Sequence, residues 1–430
     1  MRCFVLCCLL LLWTVTAAIA APIEIRAPGQ QTIPLAVTSF LPLDGNARPD
    51  IVGQLGQVLN SDLDLSGLFS FVSPASFLDD AGRLGLNSTD VNFAQWRLLG
   101  AETLIKGGYR VTGEQLTLEA RCYGVNGRRL LVGRRYTGRL ADVRYMAHAF
   151  ADDVLQALTG TAGPFNTRIA FIGNQTGHKE LYFMDVDGHH VVRLTNDRSI
   201  VLNPDFSPVA KEIIYTSYRA GNPDLYRREI YSGATARISH RHGLNIAGRY
   251  SPDGQEIALT LSRSGNAEIC LLGLDGTFLK QLTHSWGIDV DPSWSPAGDQ
   301  IAFVSDRDGN PNVFIMDVLG QNVHRLTMNG KYNATPAWSP KGDRIAFTRL
   351  AGNNFDIYTI RPDGSDERRL TFGPGSKEHP RWSPDGRFIV YSSDQDGRKA
   401  IYIMRADGTG IRRISPSGGD CYNPAWSGRW

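Results

Sequence analysis

At 430 residues the chain exceeds what one hydrophobic core ordinarily serves, so two or three domains are expected. Hydrophobic content of 42% with 20% charged residues argues against a disordered or membrane-embedded chain. A net charge of +2 supplies no electrostatic ground for a nucleic-acid partner.

The chain opens on MRCFVLCCLLLLWTVTAAIA, with one positive charge at Arg2, an apolar run from Cys3 to Val15, and then Ala18-Ile19-Ala20. That pattern predicts a secretory signal (1–20) cleaved between Ala20 and Ala21. A retained membrane anchor is the rival reading, disfavoured because the run is short for a bilayer span. No later stretch is apolar enough to cross, so the mature chain is expected to be soluble and outside the cytoplasm. Cys8 sits inside the apolar run without small residues ahead of it, which argues against a lipoprotein signal. The three later cysteines, Cys122, Cys270 and Cys421, are odd in number and far apart, and are expected to be small buried apolar residues rather than a disulfide framework.

The next segment, APIEIRAPGQQT, is short, polar and interrupted by Pro22 and Pro28. By composition it reads as a frayed tail (21–32), although an extended tail of this kind can also add a strand to another protein's sheet edge. Residues 33 to 40, IPLAVTSF, read as a strand, and Ile51, Val52, Leu55, Val58, Leu59, Leu63 and Leu65 then recur at helical spacing. TLIKGGYRV, QLTLEARCYG and RRLLVGRRYTG read as strands. A second helix from about Ala141 to Leu158 places Val143, Met146, Phe150, Val154 and Leu155 on one face and stops at Gly160. Residues 21–163 are thus expected to form a small α/β domain of mixed topology, joined through TGTAGPFN to the rest of the chain.

From residue 164 to 430 the chain repeats. Phe206, Tyr250, Trp294, Trp338, Trp382 and Trp426 stand 44 residues apart, and a Leu-Thr pair or its conservative version keeps the same period from Leu194-Thr195 to Ile414-Ser415. Each unit holds four short β-type runs. Ser-Pro-x-Gly after the aromatic suits a β-turn, and the Asp-Gly turns near the unit's end are expected to be two-residue hairpin turns. The second and third runs carry apolar residues on both alternating positions, so both faces of each small sheet must be covered. Four-stranded sheets covered by copies of themselves are propeller blades. The region begins on a second strand, TRIAFIG, and ends on a first strand, NPAWSG. The ends therefore complement each other, which predicts a six-bladed β-propeller closed by pairing of the C-terminal strand with the first blade, rather than an open solenoid. The aromatic series is expected to pack neighbouring sheets.

Catalytic signatures are missing from the sequence. It has no G-x-S-x-G elbow, no H-E-x-x-H and no phosphate loop. Asp185-Val186-Asp187-Gly188, Asp306-Arg307-Asp308-Gly309 and Asp394-Gln395-Asp396-Gly397 resemble the start of a calcium loop but lack the twelfth-position Glu, so turn chemistry is expected there. His189-His190 reads as a solvated pair. No enzyme activity, cofactor or metal is expected. What varies within the lattice is the pair three to four residues before each aromatic: Leu202-Asn203, Ile246-Ala247, Val290-Asp291, Ala334-Thr335, Glu378-His379 and Tyr422-Asn423. These are expected to be loops lining one mouth of the central channel. Their variety of charge suits a shaped surface for one partner, with simple loop drift as the other reading.

The segment FAQWRLLGAETLIKGGY with Trp96 and Gly100-Ala101, the linker GPFNTRIAF, the leading signal and six WSPDG-type repeats ending on NPAWSG together resemble the TolB family, the periplasmic component of the Tol-Pal system of Gram-negative bacteria. The resemblance covers essentially the whole chain. It implies a non-enzymatic protein that binds the outer-membrane lipoprotein Pal through the propeller mouth and the inner-membrane protein TolA through its mature N-terminus. On this basis Ala21, Pro22, Ile23, Glu24, Ile25 and Arg26 belong to the TolA-contacting tail, reversing the frayed-tail reading. The six variable pairs become the Pal surface, joined by Leu244, which with Ala247 matches a contact region where the family commonly has His and Ala. Leu244 departs from that His. The resemblance also implies coupling between the tail's packing and Pal binding. Two other readings are a recognition propeller of a secreted peptidase complex and a periplasmic carbohydrate-binding protein.

Overall fold

In the computed structural model, residues 32 to 429 are described, so the expected signal, the Ala20-Ala21 cleavage site and the tail residues Ala21 to Arg26 lie outside the described residues. The first domain is built on a sheet. Its strands are β1 (Ile33–Val37), β2 (Leu41–Pro42), β3 (Phe69–Phe71), β4 (Thr103–Thr112), β5 (Gln115–Gly124) and β6 (Arg129–Arg139), in the order β3-β1-β4-β5-β6 with β2 also on β4. Its topology is mixed. β1 runs parallel to β3 and β4, whereas β4, β5 and β6 are antiparallel.

Helices α1 (Pro49–Ser66) and α3 (Val143–Thr159) bury Ile51, Leu55, Val58, Leu59 and Leu63 with Met146, Phe150, Val154 and Leu155 on one face of this sheet; the short α2 (Phe93–Leu98) lies between them in the chain. Both long helices stop at a left-handed glycine, Gly67 at φ 70° and Gly160 at φ 77°, the conformation that a C-terminal glycine reaches without a Cβ penalty. On the sheet's other face a smaller core of Phe93, Trp96, Leu104 and Tyr123 is tied by a buried pair. Lys106 Nζ donates to Asp80 Oδ2 at 3.0 Å, and Trp96 Nε1 donates to the same oxygen at 2.7 Å.

The second domain is a ring of six four-stranded antiparallel sheets. Its inner strands are Val201–Phe206, Asn245–Tyr250, Asp289–Trp294, Asn333–Trp338, Lys377–Trp382 and Cys421–Trp426. Closure is by the far end of the chain. Cys421–Trp426 pairs with Arg168–Gly173, with Cys421 opposite Gly173 and Trp426 opposite Ile169.

The recurring letters have physical reasons. Within the Leu-Thr pair the hydroxyl accepts a strand N–H and donates to a buried polar group. Thr283 Oγ1 takes Ile269 N–H at 2.9 Å and gives to Glu268 Oε2 at 2.5 Å, and Thr371 does the same between Ile357 and Asp356. Buried strand termini are satisfied in this way. The aromatics pack between blades as expected: Trp382 Nε1 donates to Ala337 O of the preceding blade at 2.9 Å, and Trp294 Nε1 to Arg249 O at 3.2 Å.

The Asp-Gly turns differ from expectation. They are three-residue loops, not two-residue ones: Gly188 N–H donates to Asp185 O, Asp185 N–H donates to His189 O, and the glycine is left-handed at φ 86°. The glycine is needed for space as well as conformation. A Cβ on Gly276 would sit 2.0 Å from Ile238 O of the neighbouring blade. The Asp-x-Asp-Gly stretches at Asp306 and Asp394 are turns, with Asp306 Oδ1 accepting Ile288 N–H and Asp394 Oδ1 accepting Ser376 N–H.

The domains share one apolar cluster, in which Leu155 and Leu158 of α3 join Phe165 of the linker, Phe171, Met184, Phe388, Ile403 and Trp426. Cys122, Cys270 and Cys421 are free and buried, and burial pushes the thiols of Cys122 and Cys270 up to about 12.

Candidate protein-binding face of the propeller

The channel has two mouths: an upper one where the inner strands begin and a lower one where they end on the Ser-Pro turns. The six variable pairs all lie at the upper mouth. They are not in loops, which corrects the sequence reading. Each pair forms the second and third residues of its inner strand, at a β-bulge where the register slips between Leu202 and Asp205, Ile246 and Arg249, Val290 and Ser293, Ala334 and Ala337, Glu378 and Arg381, and Tyr422 and Ala425. Bulges are not visible to pattern reading because the extra residue changes the backbone and leaves the letters alone.

At every bulge the third residue is left-handed: Asn203 (φ 50°), Ala247 (54°), Asp291 (54°), Thr335 (49°), His379 (58°) and Asn423 (41°). Asn and Asp tolerate this region, whereas Ala247, Thr335 and His379 each carry about 1–2 kcal/mol of backbone cost. Neighbouring blades hold the strained positions. Asp291 N–H reaches Thr260 Oγ1 and His379 N–H reaches Thr348 Oγ1, both at 3.3 Å, while within one blade the Thr335 and Thr348 hydroxyls meet at 2.7 Å. A left-handed backbone repeated at all six positions, and strained at three of them, gives this mouth a fixed geometry.

Charge is uneven around this mouth. Glu378 pairs with Lys399, and Lys179 lies 4.9 Å from the centroid of the Tyr422 ring. Burial, with the hydrogen bond to Asp420, pushes the Tyr422 phenol up to about 12. Burial lowers the pKa of His379 against the opposing pull of Glu378 and Asp291, and its buried Nδ1 has no hydrogen-bond partner among the described residues.

The loops leading into the inner strands carry further side chains that the variable pairs do not include. Trp286, Met328 and Phe372 are 79%, 68% and 64% exposed. Just before the inner strands, Ile200, Leu244, Ile288 and Tyr332 occupy the same lattice position on four consecutive blades, where the other two blades carry Ser376 and Asp420. Leu244 is half-buried, and Ile200, Ile288 and Tyr332 are exposed. Leu244 is therefore one member of an apolar arc. The signal was available in the sequence as large apolar residues at loop positions: Met328 and Phe372 stand where the lattice elsewhere has Asn196, His240, His284 and Pro416, and Trp286 where it has Arg198, His242, Gly330, Pro374 and Gly418. Exposed apolar residues also occur at the other end of the blades, as at Val209, Tyr231 and Leu319, but at the upper mouth they recur at one lattice position on four consecutive blades, the arrangement expected of an interaction surface.

The lower mouth contrasts with this. A cavity of about 340 Å³ is walled by the six lattice aromatics and their Ser-Pro turns, with Asp205, Arg249 and Arg381 reaching it.

Family models match in two blocks: the TolB amino-terminal domain over residues 21–131 and the TolB beta propeller domain over residues 155–429. Among curated proteins, the Tol-Pal system protein TolB of Syntrophotalea carbinolica is 65% identical over 214 residues, 50% of each chain. That of Geobacter metallireducens is 49% identical over 190 residues, 44% of each. The chain thus spans about half the length of the curated relatives it matches. Among solved structures, TolB from Acinetobacter baumannii superposes with a TM-score of 0.80 at 27% identity, covering 94% of this chain and 98% of that one.

Proposed function

This chain belongs to the TolB family, and on that premise we propose that it is a non-enzymatic, periplasmic protein-interaction component of the Tol-Pal system. In this reading the upper mouth docks the outer-membrane lipoprotein Pal, and association with the outer membrane is peripheral, through Pal alone. Residues Ala21 to Thr32 reach the inner-membrane protein TolA. A link of this kind between the two membranes supports outer-membrane integrity and its invagination during division.

The observation that supports the docking role is the apolar arc with Trp286, Met328 and Phe372 beside six bulges, three of them strained. A central patch of large apolar side chains with a polar rim is how stable partners are held, and Trp is the residue most often dominant in such patches. Among the described residues no helix is long and apolar enough to cross a membrane.

Incubating the mature protein with detergent-solubilised envelope should recover a Pal lipoprotein. Trp286→Ser should lose it while retaining a cooperative unfolding transition. Deleting 21–32 should abolish TolA binding alone. Peptidase activity with no such partner would overturn the reading.

A further inference from the structure

The domain junction holds a polar cluster outside the propeller mouth. His148 on α3 is 2% exposed. Its Nδ1 meets Asp62 Oδ2 of α1 at 2.6 Å, and its Nε2 points at the hairpin turn of the first blade, 3.2 Å from Asp187 Oδ2 but without hydrogen-bond geometry. On the same turn the buried Asp185 has an Oδ1 that also lacks a hydrogen bond, although Arg168 Nη1 lies 3.0 Å away. One ligand atom from each of His148, Asp185 and Asp187 falls within 4.8 Å of the others.

We propose that His148, Asp185 and Asp187 form a site for a divalent transition-metal ion of the zinc type, bridging the two domains. The parts match such a site. A carboxylate on the remote imidazole nitrogen, here Asp62, fixes the ring and leaves Nε2 to the ion, as in carboxylate–histidine–zinc arrangements. One imidazole and two carboxylates are donors that zinc accepts, with a solvent molecule as fourth ligand. An opening exists, because a cavity of about 800 Å³ between the domains reaches His148, Asp185 and His190.

Charge points the same way. Three carboxylates (Asp62, Asp185 and Asp187) face two guanidiniums, Arg144 on Asp187 and Arg168 on Asp185, which leaves one negative charge for a central cation. His189 and His190 extend from the same turn, 3.2 Å from Asp187 Oδ1 and 2.6 Å from Asp185 Oδ2. The turn is held rigidly, since Gly188 abuts Ile414 O closely enough that a Cβ would lie 2.0 Å from it. The sequence reads Asp185-Val186-Asp187-Gly188 as a turn, which it is; the tertiary fold adds a histidine to it from 37 residues away, at position 148.

The test is titration of the full mature chain with zinc chloride, together with anomalous diffraction from crystals grown with zinc. The expected result is one equivalent bound and a peak about 2.0–2.2 Å from His148 Nε2. His148→Gln and Asp185→Asn should bind at least tenfold more weakly, while a double His240→Asn, His242→Asn variant binds like wild type. Arg168→Gln should bind more tightly, because the arginine competes for Asp185, a result that a purely structural ion cluster would not produce. A peak confined to surface histidines, an absence of bound zinc, or undiminished binding by a folded Asp185→Asn variant would overturn the site. If the substitutions at 148 and 185 unfold the chain, the wild-type anomalous map decides alone.

Discussion

The two mouths of the propeller are made by the same repeat and have opposite characters. At the lower mouth the blades contribute nearly the same parts: an aromatic in all six, a Ser-Pro-x-Gly turn in four and an Asp-Gly turn in four. Where a Gly occupies the hairpin turn at this end it is often pressed against the preceding blade, as Gly276, Gly320 and Gly408 are against Ile238, Leu282 and Leu370 carbonyls. At the upper mouth the hairpin glycines Gly177, Gly221, Gly265, Gly309 and Gly397 have open space around them, three of the bulges are strained and the side chains differ. Packing requires uniformity where blades touch and leaves the other rim free to vary.

The largest break in this contrast should come at the closing blade. Trp426 stacks near Phe388, gives its indole N–H to Thr167 Oγ1 at 2.8 Å and is buried. Trp426→Ala should cost about 3–5 kcal/mol in denaturant unfolding. A variant as stable as wild type would deny that the last strand closes the ring.

The glycines test the rims against each other. Gly276→Ala must both enter the left-handed region and displace a carbonyl, at about 2–4 kcal/mol, whereas Gly265→Ala pays only the conformational cost of about 1–2 kcal/mol. Equal losses in the two variants would remove the asymmetry.

The third comparison separates stability from binding. Replacing Trp286, Met328 or Phe372 singly by Ser should leave unfolding within about 0.5 kcal/mol of wild type. The same changes should weaken Pal binding by about tenfold or more at the dominant position, measured by calorimetry. Stability loss without affinity loss would move these residues into the scaffold.

The two mouths should also give opposite slopes in pH dependence. At the lower mouth burial raises the pKa of Asp205 to about 6, against the pull of Arg249. Between the unfolded value of 3.8 and about 6 the folded chain holds the extra proton, so this contribution to stability falls as pH rises through that window. At the upper mouth burial lowers the pKa of His379 below 6.5. There the unfolded chain holds the extra proton, so stability is full above pH 6.5 and is lost as pH falls. Asp205→Asn and His379→Asn should each remove one of these slopes, read from denaturation midpoints between about pH 4 and 8. Asp205→Asn keeps an acceptor for the Tyr250 N–H that Asp205 Oδ2 takes at 3.0 Å.

Much of the fold was legible because a 44-residue period is carried by letters with fixed physical meanings: Pro and Gly in turns, Thr under a strand end, Trp between blades. Those letters set the number of blades, and the complementary half-repeats at residues 168 and 426 set the closure. The site was legible as a set of positions, since all six variable pairs share one rim, but not as a conformation. Leu202-Asn203 and its counterparts read as loop residues because they vary and precede the repeated aromatic, yet their left-handed backbone lies inside a strand, where the bulge follows from pairing with Thr216 and its equivalents.

By itself, then, the sequence determined the α/β domain, the six blades, the closing strand and the rim on which variation falls, because each follows from local periodicity and turn chemistry. The tertiary structure alone decided three things: that the Asp-Gly turns are pressed against the preceding blade, that the indole of Trp426 meets Thr167 and Phe388, and that His148 meets Asp185 and Asp187. All three are contacts between segments distant in the chain, and the spacing of letters along a chain carries no information about which surfaces the closing of a ring and the docking of two domains bring together.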